Sequence, residues 1–197
     1  MAETATPADL LAAVSSLSGW LREENVPYAI IGGLAVSLNA QPRLTADIDA
    51  IIWLDLDRSE KFLKSGHDRG FVARINNPIE FARNARVLLL RHEETQIAID
   101  LSCGVLPFEQ EVLERAIDFR DGSLDIKIAT PEDLIILKAV AHRTRDLLDI
   151  ENLLNVHGDV DLNRIRYWVR QFADVLESPA LVRDLERILD KSNEWVT

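Results

Sequence analysis

Between residues 8 and 24 the apolar positions Leu10, Leu11, Val14, Leu17 and Leu21 recur at helical spacing, with Asp9 near the start, and predict one amphipathic helix. Pro27 interrupts the pattern. The run YAII reads as a short buried strand ending at Gly32 and Gly33, and LAVSLNA continues as one or two helical turns. NAQPRLT is a loop, because Pro42 disfavours helix at the residue before it. In ADIDAIIWLDL, Ile48, Ile51, Ile52, Trp53 and Leu54 lie in or beside a strand pattern, and a polar helix follows over about residues 58 to 66. FVARI, ARVLLLRH and TQIAIDLSC read as strands, the last two as an antiparallel hairpin. A helix at FEQEVLERA and a hairpin folded at Asp121-Gly122 complete this portion.

From Pro131 the pattern turns helical. TPEDLIILKAVAH offers Thr130 as an N-cap, Pro131 at the first helical position and Asp133 in the first turn. Segments 145 to 156, 161 to 176 and 179 to 191 read as further helices, parted by His157-Gly158 and Ser178-Pro179. The expected class is α+β: a mixed sheet backed by helices over residues 1 to 129, then a helical bundle over 130 to 197. No Gly/Ser/Pro-rich linker separates the two parts, so the bundle is expected to pack on the sheet portion. Tyr167, Trp168, Phe172, Leu176 and Trp195 are expected to serve mostly in bundle packing.

Composition narrows the function. A chain of 197 residues with 47% hydrophobic residues can build a real core. No segment approaches the ~20 apolar residues that span a bilayer, and the start MAETATPADLLAAV lacks a secretory pattern, so a cytoplasmic, membrane-free protein is expected. The single cysteine, Cys103, can form no internal disulfide. A net charge of −11 argues against sequence-independent clinging to nucleic acid, which needs a basic surface. Arg69, Arg74, Arg83, Arg86 and Arg91 nevertheless cluster in an acid-poor stretch, as a substrate-facing patch or an ordinary solvated surface.

Asp47 and Asp49 stand two apart in a strand pattern and therefore point to one face. Two like charges there need an exposed sheet end, arginine partners or shared divalent cations, since burying them unpaired is costly. Asp100, near the end of QIAID, completes a trio if its strand lies beside TADIDAII. Three carboxylates suit Mg²⁺, and two such ions could serve phosphoryl or nucleotidyl transfer. The plainer alternative pairs Asp47 with Arg43, solvates Asp49 and leaves Asp100 as a strand end. Gly32 and Gly33, at a strand–helix junction, could admit phosphate to backbone N–H groups and a helix N-terminus, or serve a steric purpose.

With these residues in place, the chain resembles the nucleotidyltransferase superfamily related to DNA polymerase beta, especially its AbiEii-like or minimal branch. The resemblance rests on Gly-Gly, a spacer, and R-x-T-x-D-x-D matched by Arg43, Thr45, Asp47 and Asp49, with Asp100 resembling the third catalytic carboxylate. A later segment resembles K-x4-R-x2-D-x2-D, matched by Lys138, Arg143, Asp146 and Asp149. The resemblance spans about residues 28 to 156 and implies a nucleotidyltransferase-type sheet.

That resemblance implies catalytic and metal-holding roles for Asp47, Asp49 and Asp100. Gly32, Gly33, Arg43 and Thr45 would line the nucleotide's phosphates, and Lys138 and Asp146 would contact the nucleotide. The implied reaction is Mg²⁺-dependent transfer of a nucleoside monophosphate from a nucleoside triphosphate such as ATP to an acceptor hydroxyl. In relatives of this branch the acceptor can be transfer RNA and some are toxins neutralised by a partner protein in a toxin-antitoxin system, other relatives modify small antibiotics, and for this chain a small-molecule or protein acceptor stays open. Two other classes stand beside this one: a nucleotide-binding or regulatory protein without turnover, and an antitoxin-like interaction protein. Read without the resemblance, Lys138, Asp146 and Asp149 form a salt-bridged helical surface, and His142 is a structural or surface histidine.

Overall fold

The computed structural model describes residues 6–41 and 45–194, and its elements follow the hydrophobic pattern closely. Helix α1 (Pro7–Glu23) starts at Thr6, whose hydroxyl accepts the Asp9 N–H while the Asp9 carboxylate accepts the Thr6 N–H at 2.8 Å. Strand β1 (Tyr28–Ile31) runs directly into α2 (Gly32–Asn39), and β2 (Asp47–Ile52) pairs antiparallel with β1. A 3-10 turn (Leu56–Arg58) leads into α3 (Ser59–His67) and β3 (Phe71–Ala73). After α4 (Pro78–Ala85) come β4 (Val87–His92), β5 (Ala98–Cys103) and α5 (Pro107–Arg115). The hairpin β6 (Ile117–Asp121) and β7 (Leu124–Ile128) follows, turning at Gly122 as expected.

One seven-stranded sheet has the order β3-β4-β5-β2-β1-β7-β6. Its β2·β5 and β1·β7 pairs are parallel and its other pairs antiparallel, the mixed sheet expected. Helix α1 packs against β7 and β2, and α5 against β1 and β2. Trp20 of α1 is held between two rings, stacked on Phe62 at 4.2 Å and on Phe71 at 4.9 Å. A Cβ on Gly66 would come within 2.6 Å of the Trp20 ring. Gly66→Ala is therefore expected to lower the unfolding free energy by about 1–3 kcal/mol, measurable by urea titration.

The chain divides into two compact units, Met1–Leu34 with Leu44–Ala129, and Ala35–Arg43 with Thr130–Thr197. In the second, α6 (Pro131–Ala141), α7 (Thr144–Val156), α8 (Leu162–Val175) and α9 (Ala180–Glu194) form the helical bundle. Thr130 caps α6 as read, with its hydroxyl 3.3 Å from the Asp133 N–H. Ile165, Val169 and Ala173 of α8 and Leu181, Leu185, Ile188 and Leu189 of α9 are buried in the apolar seams. His142 ends α6 in the left-handed conformation at φ 54, and its Nε2 lies 3.0 Å from Asp184 Oδ2.

Two local expectations need correcting. Helix α4 was not anticipated, because the motif that starts it, Asn77 in the left-handed region followed by Pro78 at the first helical turn, reads from sequence as a plain turn. Tyr167 and Leu176 are 56% and 54% exposed rather than packed in the bundle, while Trp168 and Phe172 are half-buried. Trp195 lies outside the described residues. Among the described residues no helix is long and apolar enough to cross a membrane.

Candidate active site

The carboxylate trio arises from strand register. Asp49 pairs with Asp100 across the parallel β2·β5 ladder, and with Ile31 across β1, while Asp47 pairs with Ala98. Residues paired in register share a face, so Asp47, Asp49 and Asp100 stand on one side of adjacent strands. Asp47 is exposed, and Asp49 and Asp100 are half-buried. The Thr45 hydroxyl donates to Asp47 Oδ1 at 2.9 Å, which ties the strand entry to the first carboxylate.

Gly32 follows Ile31 and adopts φ +66, a conformation that disfavours any side chain. A Cβ there would overlap the Asp49 carboxylate and lie 2.7 Å from its Cγ. The glycine thus lets Asp49 fold back against the start of α2, bringing the β1–α2 bend next to the carboxylate row. Gly33 continues α2. Gly32→Ala is expected to displace Asp49 and to cost about 1–3 kcal/mol of stability through backbone strain, a loss visible in thermal unfolding.

A residue outside the sequence motif completes the row. Arg74 donates its backbone N–H to the Leu89 carbonyl at 2.9 Å, just beyond β3, and Leu89 pairs with Asp100 on β5. Two strand spacings, about 10 Å, separate Arg74 from Asp100, and the long side chain crosses them to ion-pair with the Asp100 carboxylate. Burial pushes the Asp100 carboxyl above the ordinary aspartate range, the Arg74 charge pulls it back, and the nearby Asp47 charge pushes it up again. The density of arginines was readable in the sequence, but which one meets Asp100 follows only from strand register.

Arg91 also shares the face of the row, since it pairs with Ala98 of β5, which pairs in turn with Asp47. The other arginines of that stretch do not converge on the row. Arg69 pairs with Glu23 of α1, and Arg83 and Arg86 line a different cavity. Arg43 lies outside the described residues. Cys103 ends β5 with its thiol buried and pushed up to about 11 by burial, so it is a protonated, unreactive thiol at neutral pH.

The donor set of Asp47, Asp49 and Asp100 consists of hard oxygen ligands of the kind Mg²⁺ takes. Among the described residues, no group of three or more His, Cys, Asp or Glu side chains is drawn together closely enough to hold an ion as it stands. The Arg74 guanidinium is bonded to Oδ1, one of the two Asp100 carboxylate oxygens. The residues fit a divalent cation once Asp100 changes partner.

In the second unit, Lys138 and Asp146 meet each other. Lys138 Nζ lies 2.9 Å from Asp146 Oδ1 and 2.9 Å from Asp149 Oδ2, and the three residues are 7%, 2% and 1% exposed. Asp146 Oδ2 also accepts from Arg143 Nε at 2.8 Å and from the Arg143 backbone N–H at 3.2 Å, at the start of α7. Burial raises the Asp146 pKa, but the hydrogen bonds from Lys138 and Arg143 outweigh it and leave the carboxyl below its ordinary range.

A mixed sheet with an acidic pair at the start of one strand, a third carboxylate in register beside it and a glycine bend at the neighbouring strand end defines a nucleotidyltransferase-type fold. Solved structures agree at the level of fold. An antigenic nucleotidyltransferase-like protein from Paracoccidioides brasiliensis superposes with a TM-score of 0.57 at 18% identity, covering 92% of this chain and 94% of that one. The antibiotic-resistance factor ANT(2'')-Ia gives 0.62 at 12% identity over 88% and 96%. The lincosamide antibiotic adenylyltransferase LnuA gives 0.51 at 17% over 78% and 99%. A search of curated proteins returns no match. The chain belongs to the family described as "Nucleotidyltransferase of unknown function (DUF6036)", whose profile matches residues 8–190.

Proposed function

We propose that this protein is a Mg²⁺-dependent nucleotidyltransferase that moves a nucleoside monophosphate from a nucleoside triphosphate to an acceptor hydroxyl. The observation that carries the reading is the in-register row of Asp49 and Asp100, with Asp47 on the same face and Gly32 against Asp49. Divalent cations held by Asp47, Asp49 and Asp100 would neutralise triphosphate charge and make the acceptor hydroxyl easier to deprotonate. Gly32 and Gly33 leave room at the start of α2 for phosphate oxygens to meet backbone N–H groups. Asp100, beside Asp49 in register, would help hold a second ion and favour loss of the hydroxyl proton. The acceptor oxygen then bonds to the α-phosphorus, the bond to the bridging oxygen breaks, and pyrophosphate leaves.

Thr45 keeps Asp47 oriented, and Arg43 in this reading neutralises phosphate charge beside it. Lys138 and Asp146 support the reaction by fixing α6 to α7, and a direct nucleotide contact would require them to exchange partners. The acidic surface favours a small or protein acceptor over a long RNA. Of the proteins of similar fold, LnuA is named a lincosamide antibiotic adenylyltransferase and ANT(2'')-Ia an antibiotic-resistance factor, which supports a small-molecule acceptor. Transfer RNA, with a neutralising partner protein as in the AbiEii-like branch, is the competing acceptor. Incubation with each radiolabelled nucleotide, Mg²⁺, and cellular RNA, aminoglycosides or proteins in turn tests this, and no labelled product with any acceptor would defeat the reading.

One observation favours a second reading, nucleotide binding without turnover: the Asp100 carboxylate is held by Arg74. The two readings part on Arg74→Ala. For an enzyme whose cation site opens by partner exchange, removing the guanidinium tightens Mn²⁺ binding to the nucleotide-free protein about three- to tenfold, read by electron paramagnetic resonance. Unchanged or weaker Mn²⁺ binding would favour the second reading.

A further inference from the structure

A second concavity lies at the other end of β2. Asp47 begins that strand and Trp53 follows its last residue, so six residues, about 20 Å of strand, separate this region from the carboxylate row. A cavity of about 690 Å³ there is lined by Trp53, Arg58, Arg83 and Arg86, with Asp55 and Asp57 on its wall. Its volume falls within the range of small-molecule sites.

Trp53 is rigidly seated. Its backbone N–H donates to the Pro27 carbonyl at 2.9 Å, and the Gly104 N–H donates to the Ile52 carbonyl at 2.9 Å. A Cβ on Gly104 would stand 3.1 Å from Trp53 Cε3, so the indole lies against a glycine backbone. The ring is nevertheless 40% exposed. A large aromatic held against backbone on one side and open on another is a stacking platform.

The guanidiniums around it are the second observation. Among the described residues, Arg58, Arg83 and Arg86 make no side-chain hydrogen bond or ion pair, although the chain carries 33 acidic residues against 22 basic ones. Arginine has an abundance of carboxylates to choose from in such a chain, and most other described arginines take one, among them Arg69, Arg74, Arg164 and Arg166. Asp55 is occupied locally, its carboxylate accepting the Asp57 N–H at 3.0 Å, and three guanidiniums against the two carboxylates of Asp55 and Asp57 leave the wall cationic by one charge. Arg86 is fixed at φ +57, its N–H bonded to the Ala82 carbonyl and its carbonyl to the Cys103 N–H, so its side chain leaves a pinned backbone.

We propose that this cavity is a second ligand site, for a nucleoside phosphate, with the base stacked on Trp53 and the phosphate held by Arg58, Arg83 and Arg86. The chemistry is shared by a free nucleotide and by the terminal unit of a single-stranded RNA. The site does not depend on the cation row or on nucleotidyl transfer.

Calorimetric titration of the full-length chain with adenosine monophosphate in EDTA tests it, because the chelator removes divalent cations from the carboxylate row. Wild type and an Asp47→Asn/Asp49→Asn variant are expected to bind alike. Arg83→Gln with Arg86→Gln should weaken binding at least about tenfold, and Trp53→Leu at least about fivefold, while Trp53→Phe keeps most of the affinity. Thermal unfolding midpoints confirm that each variant folds. A 5′-phosphorylated trinucleotide that binds tenfold tighter than the mononucleotide identifies RNA as the source, and equal affinity identifies the free nucleotide. The proposal is overturned if the arginine and Trp53 variants bind as wild type does, if only the aspartate variant loses binding, or if inorganic phosphate competes as well as the nucleotide. Failure of nucleotidyl transfer with AMP binding intact would defeat the proposed reaction and leave this site standing.

Discussion

Replacing Asp47 and Asp49 together by asparagine is expected to abolish the proposed nucleotidyl transfer, with a fall of at least about 10³-fold, and to leave the fold intact. The loss follows from geometry. Asp47 and Asp49 share a face at the start of β2, Asp100 sits beside Asp49 in register, and the Gly32 bend presses against Asp49. Asparagine keeps the shape and removes the charge, so a cation would lose two anionic ligands while the strand keeps its packing. Removing the Asp47 charge also takes away one of the influences that raise the Asp100 pKa, and that carboxyl should move back down. The melting temperature is therefore expected to stay level or rise slightly, because like charges on one face oppose folding. Product formation by chromatography and melting by calorimetry are the paired measurements. Transfer that persists in the double variant would remove the cation row from the mechanism.

The sheet and much of the row were legible because period-two patterns and turn residues are local. YAII followed by glycines, DIDAII and each strand of the β4–β5 hairpin carry their structure within about six residues, and the alternation places Asp47 and Asp49 together from sequence alone. That Asp100 stands beside Asp49 depended on a parallel pairing between strands some fifty positions apart, which the pattern allowed but did not dictate. Arg74 was out of reach for the same reason, amplified: its partner lies two strands away, and only a register count across β3, β4 and β5 brings them together. Helix α4 escaped because Asn77 enters the left-handed region just before it, a backbone choice that polar turn residues permit without announcing. Tyr167 and Leu176 show the opposite error. Apolar residues on a helix are usually read as core, yet much of a folded surface is apolar, and these two lie on the open side of α8 and at its end.

Lys138→Met should cost about 3–5 kcal/mol of stability, one of the largest single-site losses expected in the chain. The ammonium is 7% exposed and is the shared partner of Asp146 and Asp149, both almost fully buried. Methionine fills the volume but removes the ammonium that both interior carboxylates share, while Arg143 still bonds Asp146 Oδ2. For a chain of this size the loss corresponds to a drop of roughly 10 °C in melting temperature. A second change, Asp149→Leu, removes one of the two buried carboxylates that Lys138 served and should recover part of the deficit. The sign of the pH dependence follows from Asp146, whose folded pKa lies below its unfolded one. Its contribution is fully present above the ordinary aspartate pKa of about 4 and disappears as pH falls through the lower folded value. Wild type should therefore lose stability on acidification below about pH 4, and Lys138→Met, in which the carboxylate is no longer favoured, should lose much less over that window. Urea titrations from neutral to acid pH measure both slopes. Equal slopes, with a stability cost under about 1 kcal/mol, would show that the Lys138 ammonium does not hold α6 to α7.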